Sequence, residues 1–133
     1  MLTSFLTFIN SNRLFCQTDK LLVAVSGGKD SMVLLDLLQK GGFSIAVAHC
    51  NFQLRGQASD GDAEFIQTYC EQQGISVFIK RFETERFAAK KHISTQMAAR
   101  ELRYAWFDEL MKRHSFDYLL TAYHLNDRLE TAL

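Results

Sequence analysis

The 133-residue sequence has no excess of either charge, because its 15 Lys and Arg residues balance its 15 Asp and Glu residues. A strongly basic footprint, typical of nucleic-acid-binding domains, is therefore absent from the composition. One basic cluster does occur, in residues 80–92, and we interpret it as a solvated loop or, alternatively, a local nucleic-acid contact. A hydrophobic fraction of 47% is ordinary for one soluble globular domain with a core.

Metal-binding cysteine motifs are also missing. The three cysteines, Cys16, Cys50 and Cys70, are widely spaced and form no C-x-x-C pair or Cys/His pair at metal spacing. This pattern predicts no zinc site and no iron–sulfur cluster. Reduced thiols suit a cytoplasmic protein, and the apolar surroundings of Cys50 and Cys70 predict that both are core residues.

The sequence has no long hydrophobic run. The apolar stretch Leu2–Ile9 is too short to span a bilayer and has neither a basic flank nor a small-residue cleavage site. It predicts a short amphipathic helix and no membrane partner. Internal repeats and low-complexity segments are absent as well.

Two common glycine motifs, the Walker A loop and G-x-G-x-x-G, are not present either. Instead, an apolar strand pattern at Leu21–Val25 runs directly into residues 26–31, Ser-Gly-Gly-Lys-Asp-Ser, which we call the glycine loop. A helical pattern follows at once. Glycine lets the backbone approach a ligand closely, and the N–H groups of a helix N-terminus favour a phosphate. The segment predicts an anion site; a tight turn without a ligand is the alternative.

Strand and helix patterns alternate along the chain, which predicts a layered α/β fold with a mostly parallel sheet and helices on both faces. The predicted strands are Leu21–Val25, Ser44–Cys50, Ile75–Ile79 and Asp117–Ala122. Between them we expect a helix ending at Gly41, a helix capped by Ser59 and Asp62 and closed by Gly74, a loop at residues 83–93, and a long helix at Thr95–Arg113. A last helical pattern, residues 125–133, has no end signal and predicts truncation of a longer protein, unless the natural terminus simply frays.

Polar clusters follow three of these strands, at residues 26–31, 49–55 and 121–131. Because parallel strands end at one edge of a sheet, these clusters should meet there, where open α/β sheets bind ligands. Each member also has a structural interpretation. His49 could be a satisfied strand-end residue, Asp127 and Glu130 could favour a helix N-terminus, and Arg100 and Arg103 could solvate one helix face.

Four motifs carry a family resemblance. They are S-G-G-K-D-S at 26–31, H-C-N-F-x-L-R-G at 49–56, Q-x-A-A-R-E-L-R-Y at 96–104 and T-A-Y-H-x-N-D-R-x-E-T-A-L at 121–133. Their order and spacing resemble the N-terminal domain of the tRNA(Ile)-lysidine synthetase family, whose fold is that of the PP-loop ATP pyrophosphatases (adenine nucleotide alpha hydrolase-like). The resemblance implies a helical lead-in at 1–19 and an incomplete PP-loop domain at 20–133, without the tRNA-binding C-terminal domains. Phe52, Tyr123 and Arg128 depart from the residues that many members have.

The resemblance also implies a reaction. ATP adenylates C2 of the wobble cytidine of a tRNA(Ile) with a CAU anticodon, and free L-lysine then displaces AMP. Mg²⁺ assists. The expected substrates and cofactors are therefore ATP, Mg²⁺, this tRNA and lysine. The sequence leaves open whether the protein is a homodimer.

Site roles follow from the same resemblance. Binding of ATP is expected of nine residues: Ala24, Ser26, Gly27, Gly28, Lys29, Asp30, Ser31, His49 and Asn51. Asp30 would hold the metal, Asp127 and Glu130 would bind lysine, and His124 and Arg55 would orient the substrates. The catalytic residues would be Asp30, Arg100, Arg103 and Asp127.

Three other functions remain as alternatives. A PP-loop tRNA thiolase would need a C-x-x-C pair, which this sequence lacks. The motifs at 100–104 and 124–131 argue against an amidotransferase-linked synthetase. A non-catalytic ATP or AMP sensor would keep the glycine loop but would not need Asp127 and Glu130.

Overall fold

The structure is a computed structural model that describes residues 2–54 and 57–121, except for the side chains of residues 57 and 58. Its elements are α1 Leu2–Ser11, β1 Lys20–Ala24, α2 Lys29–Lys40, β2 Ser44–Asn51, α3 Gln57–Gln73, β3 Ser76–Arg81, α4 Thr84–Lys91, α5 Thr95–Arg113 and β4 Tyr118–Thr121. The four strands form one sheet in the order β3-β2-β1-β4, and all neighbouring pairs are parallel. The predicted parallel α/β fold is confirmed.

Strand β1 has helices on both of its faces, as predicted. Leu21 and Val23 point into a core built with α1, α2 and α3, whereas Leu22 points into a second core on the face covered by α5. All three side chains are fully buried. Burial on both faces explains why β1 is a continuous apolar run instead of an alternating one.

The strand order creates a crevice beside β1. The chain passes from β1 to β2 and β3 on one side and later returns to add β4 on the other. In sheets of this kind, ligands bind outside the carboxyl ends of the strands at the point where the strand order reverses. Here that point lies between β1 and β4, directly beyond Ala24 and Thr121.

The loop predicted at residues 83–93 is wrong, because this segment contains helix α4. Thr84, at its first turn, is 1% exposed and donates a hydrogen bond from Oγ1 to the Phe52 carbonyl at 2.9 Å. Ala88 is also buried, and His92 ends the helix with φ of +57°. Eight residues are too few to show a hydrophobic period, and α4 depends on tertiary contacts that the sequence pattern does not reveal.

Other element boundaries differ by smaller amounts. Helix α3 begins at Gln57, so Ser59 lies inside the helix and the predicted cap at Ser59 is wrong. Helix α5 has the predicted bounds, and Ser94 caps it by accepting a bond from the Met97 amide at 3.1 Å. The helix predicted at residues 125–133 lies outside the described residues.

The two cysteines predicted to be core residues differ in burial. Cys70 is fully buried, as predicted, whereas Cys50 is only partly buried. Within the described ranges, no helix has the length and apolar character needed to cross a bilayer.

We predict that Thr84→Val destabilises the protein by about 1–3 kcal/mol, because valine keeps the buried shape but leaves the Phe52 carbonyl without its donor. The free energy of unfolding in urea measures this loss. Thr68→Val is the control, since Thr68 is exposed on α3 and should change stability by less than about 0.5 kcal/mol. Equal stabilities of the two variants would contradict the prediction.

Candidate functional site

The glycine loop reverses the chain between β1 and α2. Gly27 has φ of +94°, a left-handed conformation that favours glycine. The Ser26 hydroxyl accepts a bond from the Gly28 amide at 3.3 Å, and the Ser31 hydroxyl donates to the Gly28 carbonyl at 2.9 Å. Gly28 is the N-cap of α2 and provides no side-chain bond to its first turn. The N–H groups of that turn are therefore suited to an anion.

Helix α3 packs against this loop. A Cβ atom placed on Gly27 would lie 3.6 Å from Ile66 Cδ1 and 3.7 Å from Asp62 Cγ. The strand end before the loop is held to β2, because the Val25 amide donates to the Ala48 carbonyl at 3.0 Å. These contacts fix the loop at the carboxyl edge of the sheet.

A cavity of about 410 Å³ opens beside the loop. Its lining comes from the ends of β1, β2 and β4, from the glycine loop, and from α3 and α5. Five residues predicted to bind ATP are part of this lining: Ala24, Ser26, Ser31, His49 and Asn51. A volume of this size is ordinary for a small-molecule site. The ends of β1, β2 and β4 thus converge as predicted, although Thr121 is the one member of the predicted cluster at 121–131 that lies among the described residues.

Of the remaining predicted residues, Arg103 is the one described residue that lines the cavity. Gly27, Gly28, Lys29 and Asp30 form the loop and the first turn of α2 without lining the cavity. Arg103 lines the cavity, but Arg100 lines a neighbouring groove. Four further predicted residues lie outside the described residues: Arg55, His124, Asp127 and Glu130.

His49 is 4% exposed, and its Nδ1 atom lies 2.7 Å from the Val25 carbonyl oxygen. Since a carbonyl oxygen can only accept, Nδ1 donates, and Nε2 of the neutral ring is then an acceptor. The position of His49 therefore agrees with both interpretations of this residue. Its ring is hydrogen-bonded at a strand end, and it also lines the cavity.

Asn51 anchors the wall of the cavity. Its Nδ2 atom donates to Asp60 Oδ1 at 2.8 Å, and its Oδ1 atom accepts from the Gln53 amide at 3.0 Å. Arg81 donates to the same Asp60 oxygen at 2.9 Å. The bond from Asn51 is the main reason that the pKa of Asp60 is lowered, and Arg81 adds to it. The Asn51 amide thus connects β2 to α3 and to the following turn.

Helix α5 contributes a positive charge to the cavity wall. Arg103 reaches the cavity from α5, and its guanidinium lies 5.3 Å from the centre of the Phe52 ring. Burial raises the pKa of the neighbouring Cys50 thiol to about 12, although the charge and hydrogen bond of Arg103 act in the other direction. The Cys50 thiol is therefore protonated near neutral pH and is a poor nucleophile.

Sequence reasoning missed the position of Asp62 in the cavity wall. This residue lines the cavity from α3, close to Gly27, although its position in the sequence had suggested only a helix cap. One signal was available, because Ser59 and Asp62 are three residues apart and so share a helix face. Ser59 lines the cavity too.

The arrangement suits a metal only together with a phosphate ligand. Among residues 2–54 and 57–121, no group of three His, Cys, Asp or Glu side chains could hold a metal ion. Mg²⁺ is commonly bound through one or two carboxylates plus substrate phosphates. Two carboxylates near the glycine loop fit that mode: Asp30, which is exposed in the first turn of α2, and Asp62, whose side chain lies near Gly27.

Comparison with known proteins identifies related sequences. Residues 2–133 match the family model of a PP-loop domain. A tRNA(Ile)-lysidine synthase of Bacteroides thetaiotaomicron is 44% identical over 126 residues, covering 95% of this chain and 30% of the relative. Enzymes of the same name from Porphyromonas gingivalis (44% over 126 residues; 94% and 28%) and Clostridium acetobutylicum (38% over 137 residues; 100% and 30%) are similar. The chain therefore spans about 30% of the length of the curated relatives that it matches.

We predict that Asp60 makes stability depend on pH in the acid range. Because the pKa of Asp60 is lowered from its ordinary value of 3.8, its bonds stabilise the fold fully above that value and are lost as pH falls through the lowered pKa. The difference in free energy of unfolding between the wild type and Asp60→Asn should be constant near neutral pH and shrink in acid.

Arg81→Gln provides the matched comparison. Since Asn51 is the larger cause of the shift, the acid dependence should weaken in this variant without disappearing. A difference between wild type and Asp60→Asn that stays the same down to pH 2 would contradict the assignment.

Proposed function

This chain belongs to the PP-loop family, and on that premise we propose that it is the ATP-cleaving domain of an enzyme that joins lysine to the wobble cytidine of tRNA(Ile) with a CAU anticodon. The main support is the cavity, where the glycine loop, Asp62 and Arg103 converge at the carboxyl edge of the sheet. The names of its relatives specify the substrates. In this proposal, residues 1–19 are a helical lead-in and residues 20–133 belong to the PP-loop domain. The enzyme would act in the cytoplasm, and the proposal leaves open whether it is a homodimer.

Substrate ATP would lie along the cavity from the strand ends to the loop. Ala24 and His49 would surround the adenosine, since they line the cavity at the ends of β1 and β2. Ser26 and Ser31 would bind the terminal phosphates together with the N–H groups of the first turn of α2. Lys29, exposed on that turn, would add positive charge.

In the first step, the oxygen on C2 of the cytidine attacks the α-phosphorus of ATP. The bond from that phosphorus to the bridging oxygen breaks, and pyrophosphate leaves. Arg103 would stabilise the negative charge that builds up on the α-phosphate, because it is the arginine of its motif that lines the cavity. Arg100 would act outside the cavity.

In the second step, the side-chain amine of lysine attacks C2, the bond from C2 to the adenylate oxygen breaks, and AMP leaves. The attacking amine must be neutral, so a base has to accept its proton. Asp127 and Glu130 would bind the lysine, with Asp127 as the base. His124 and Arg55 would orient the substrates. These four roles come from the sequence motifs alone.

A bound Mg²⁺ would supply positive charge to neutralise the phosphates as pyrophosphate departs. Asp30 and Asp62 would hold it, because one lies in the first turn of α2 and the other lies near Gly27. Without a cation, the negative charge of Asp62 would oppose the binding of the triphosphate.

The reaction predicts that pyrophosphate is released by the protein in its full length only with ATP and a CAU-anticodon tRNA(Ile), and that added lysine yields a lysine-containing nucleoside. The same tRNA with uridine in place of the wobble cytidine is the control. Release without any need for that cytidine would indicate a different substrate and another tRNA-modifying or adenylating enzyme with the PP-loop fold. Binding of ATP without release of pyrophosphate would favour a nucleotide sensor.

We further predict that Asp62→Asn has opposite effects on two forms of ATP. Removing the carboxylate should strengthen the binding of metal-free ATP, because charge repulsion is lost. It should weaken the binding of Mg²⁺-ATP, because a metal ligand is lost. Each change should be roughly tenfold in Kd, or about 1.4 kcal/mol. Titration calorimetry with and without Mg²⁺ separates the two effects.

Two comparisons control for this variant. Glu64→Gln removes an exposed carboxylate from the same helix and should change neither affinity. Asp30→Asn, at the other side of the loop, should weaken Mg²⁺-ATP in the same direction. A uniform loss of both forms of ATP in Asp62→Asn would show that this residue only supports the fold.

A further inference from the structure

A second opening adjoins the cavity. It is a groove of about 480 Å³ formed by the first turns of α5 and by the segment after β2, and we call it the α5 groove. Its lining includes Leu54, Gln96, Met97, Arg100, Arg103 and Tyr104. Leu54 and Arg103 also line the cavity, so the two openings are adjacent and share part of their walls.

The α5 groove concentrates exposed apolar surface. In the part of the chain that the structure describes, five large hydrophobic side chains are exposed, and three of them line this groove: Leu54 (40% exposed), Met97 (54%) and Tyr104 (41%). Exposed apolar side chains scattered singly are unremarkable, but their grouping around one concave surface is typical of a binding site.

The charge of the α5 groove has one sign. Its described lining contains two arginines and no Asp or Glu. Neither Arg100 nor Arg103 takes part in an ion pair with a described residue. Instead, the Arg100 guanidinium lies 5.6 Å from the centre of the Tyr104 ring. An aromatic ring beside unpaired arginines suits a ligand with flat π-faces and negative charge, the combination that a single-stranded nucleic acid provides.

We infer that the α5 groove binds single-stranded RNA, with a base stacked on Tyr104 and the backbone phosphates near Arg100. This inference rests on the proposed function, because the RNA in the α5 groove would be the nucleotides flanking the base that enters the cavity. Arg103 lies where the two openings meet, so the base could reach the ATP without leaving the protein surface. The neutral composition of the chain fits this arrangement, since stacking supplies affinity that a broad basic surface would otherwise supply.

The test measures binding of a fluorescent single-stranded oligoribonucleotide with the sequence of the CAU anticodon loop to the protein in its full length. Tyr104→Ala should raise its Kd by about fivefold or more. Tyr104→Trp should keep the affinity, and its indole fluorescence should be quenched by the stacked base. Arg100→Gln should reduce the slope of log Kd against log salt by about one.

Two variants control for nonspecific effects. Phe65→Ala removes an aromatic side chain from α3 that is more exposed than Tyr104, and Arg113→Gln removes a charge from the far end of α5. Neither should change the Kd by more than about twofold. The affinity for ATP should be unchanged in Tyr104→Ala, which shows that the variant is folded.

The outcomes separate this inference from the proposed function. Unchanged RNA affinity in Tyr104→Ala and Arg100→Gln, in a protein that makes the lysine-containing nucleoside, would contradict RNA binding in the α5 groove but not the proposed function. Weakened RNA affinity in these two variants of a protein that makes no such nucleoside would support RNA binding in the α5 groove and contradict the proposed function. Quenching of Tyr104→Trp by a peptide or a second copy of the protein, but not by RNA, would also overturn the inference.

Discussion

The site depends on a single reversal of the chain. After β1, the backbone has to turn from a buried central strand into α2 within four residues, and the left-handed conformation of Gly27 makes this turn possible. A side chain at this position would be strained whatever space surrounds it. Because the turn is tight, the N-terminus of α2 lies at the carboxyl edge of the sheet, beside the ends of β2 and β4. The anion-binding character of the loop is thus a consequence of backbone geometry.

The wall facing the glycine loop is stabilised by specific polar bonds. Asn51 and Arg81 share one Asp60 oxygen, and Thr84 bonds to the Phe52 carbonyl. Phe52 and Phe82 stack with ring centres 5.6 Å apart, and Trp106 packs on Phe82 from α5. These contacts connect the end of β2 to α3, α4 and α5, so the turn after β2 is fixed on several sides. A cavity between two fixed walls can bind a ligand with little loss of conformational entropy.

The sequence was sufficient to predict the features that depend on local pattern. Strand β1 is an apolar run, α5 repeats apolar residues every fourth position, and the loop between β1 and α2 has its glycines where the turn requires them. Helix α4 and the position of Asp62 beside the glycine loop were not predictable in this way. Helix α4 is short and is stabilised through buried Thr84, while Asp62 reaches the site only because α3 packs on Gly27. Both depend on contacts between residues that are distant in the sequence.

Arg100 and Arg103 show that a correct prediction of the helix face does not yet place each side chain in the site. Residues three apart lie on the same helix face, as predicted, but they differ by about 60° in direction and about 4.5 Å along the axis. At the boundary between two openings, this offset is enough to separate them. Arg103 lines both the cavity and the α5 groove, whereas Arg100 lines the α5 groove alone. In the proposed function, α5 would therefore carry one charge for ATP and one for the RNA, and Arg103, which lines both openings, would lie between the two ligands.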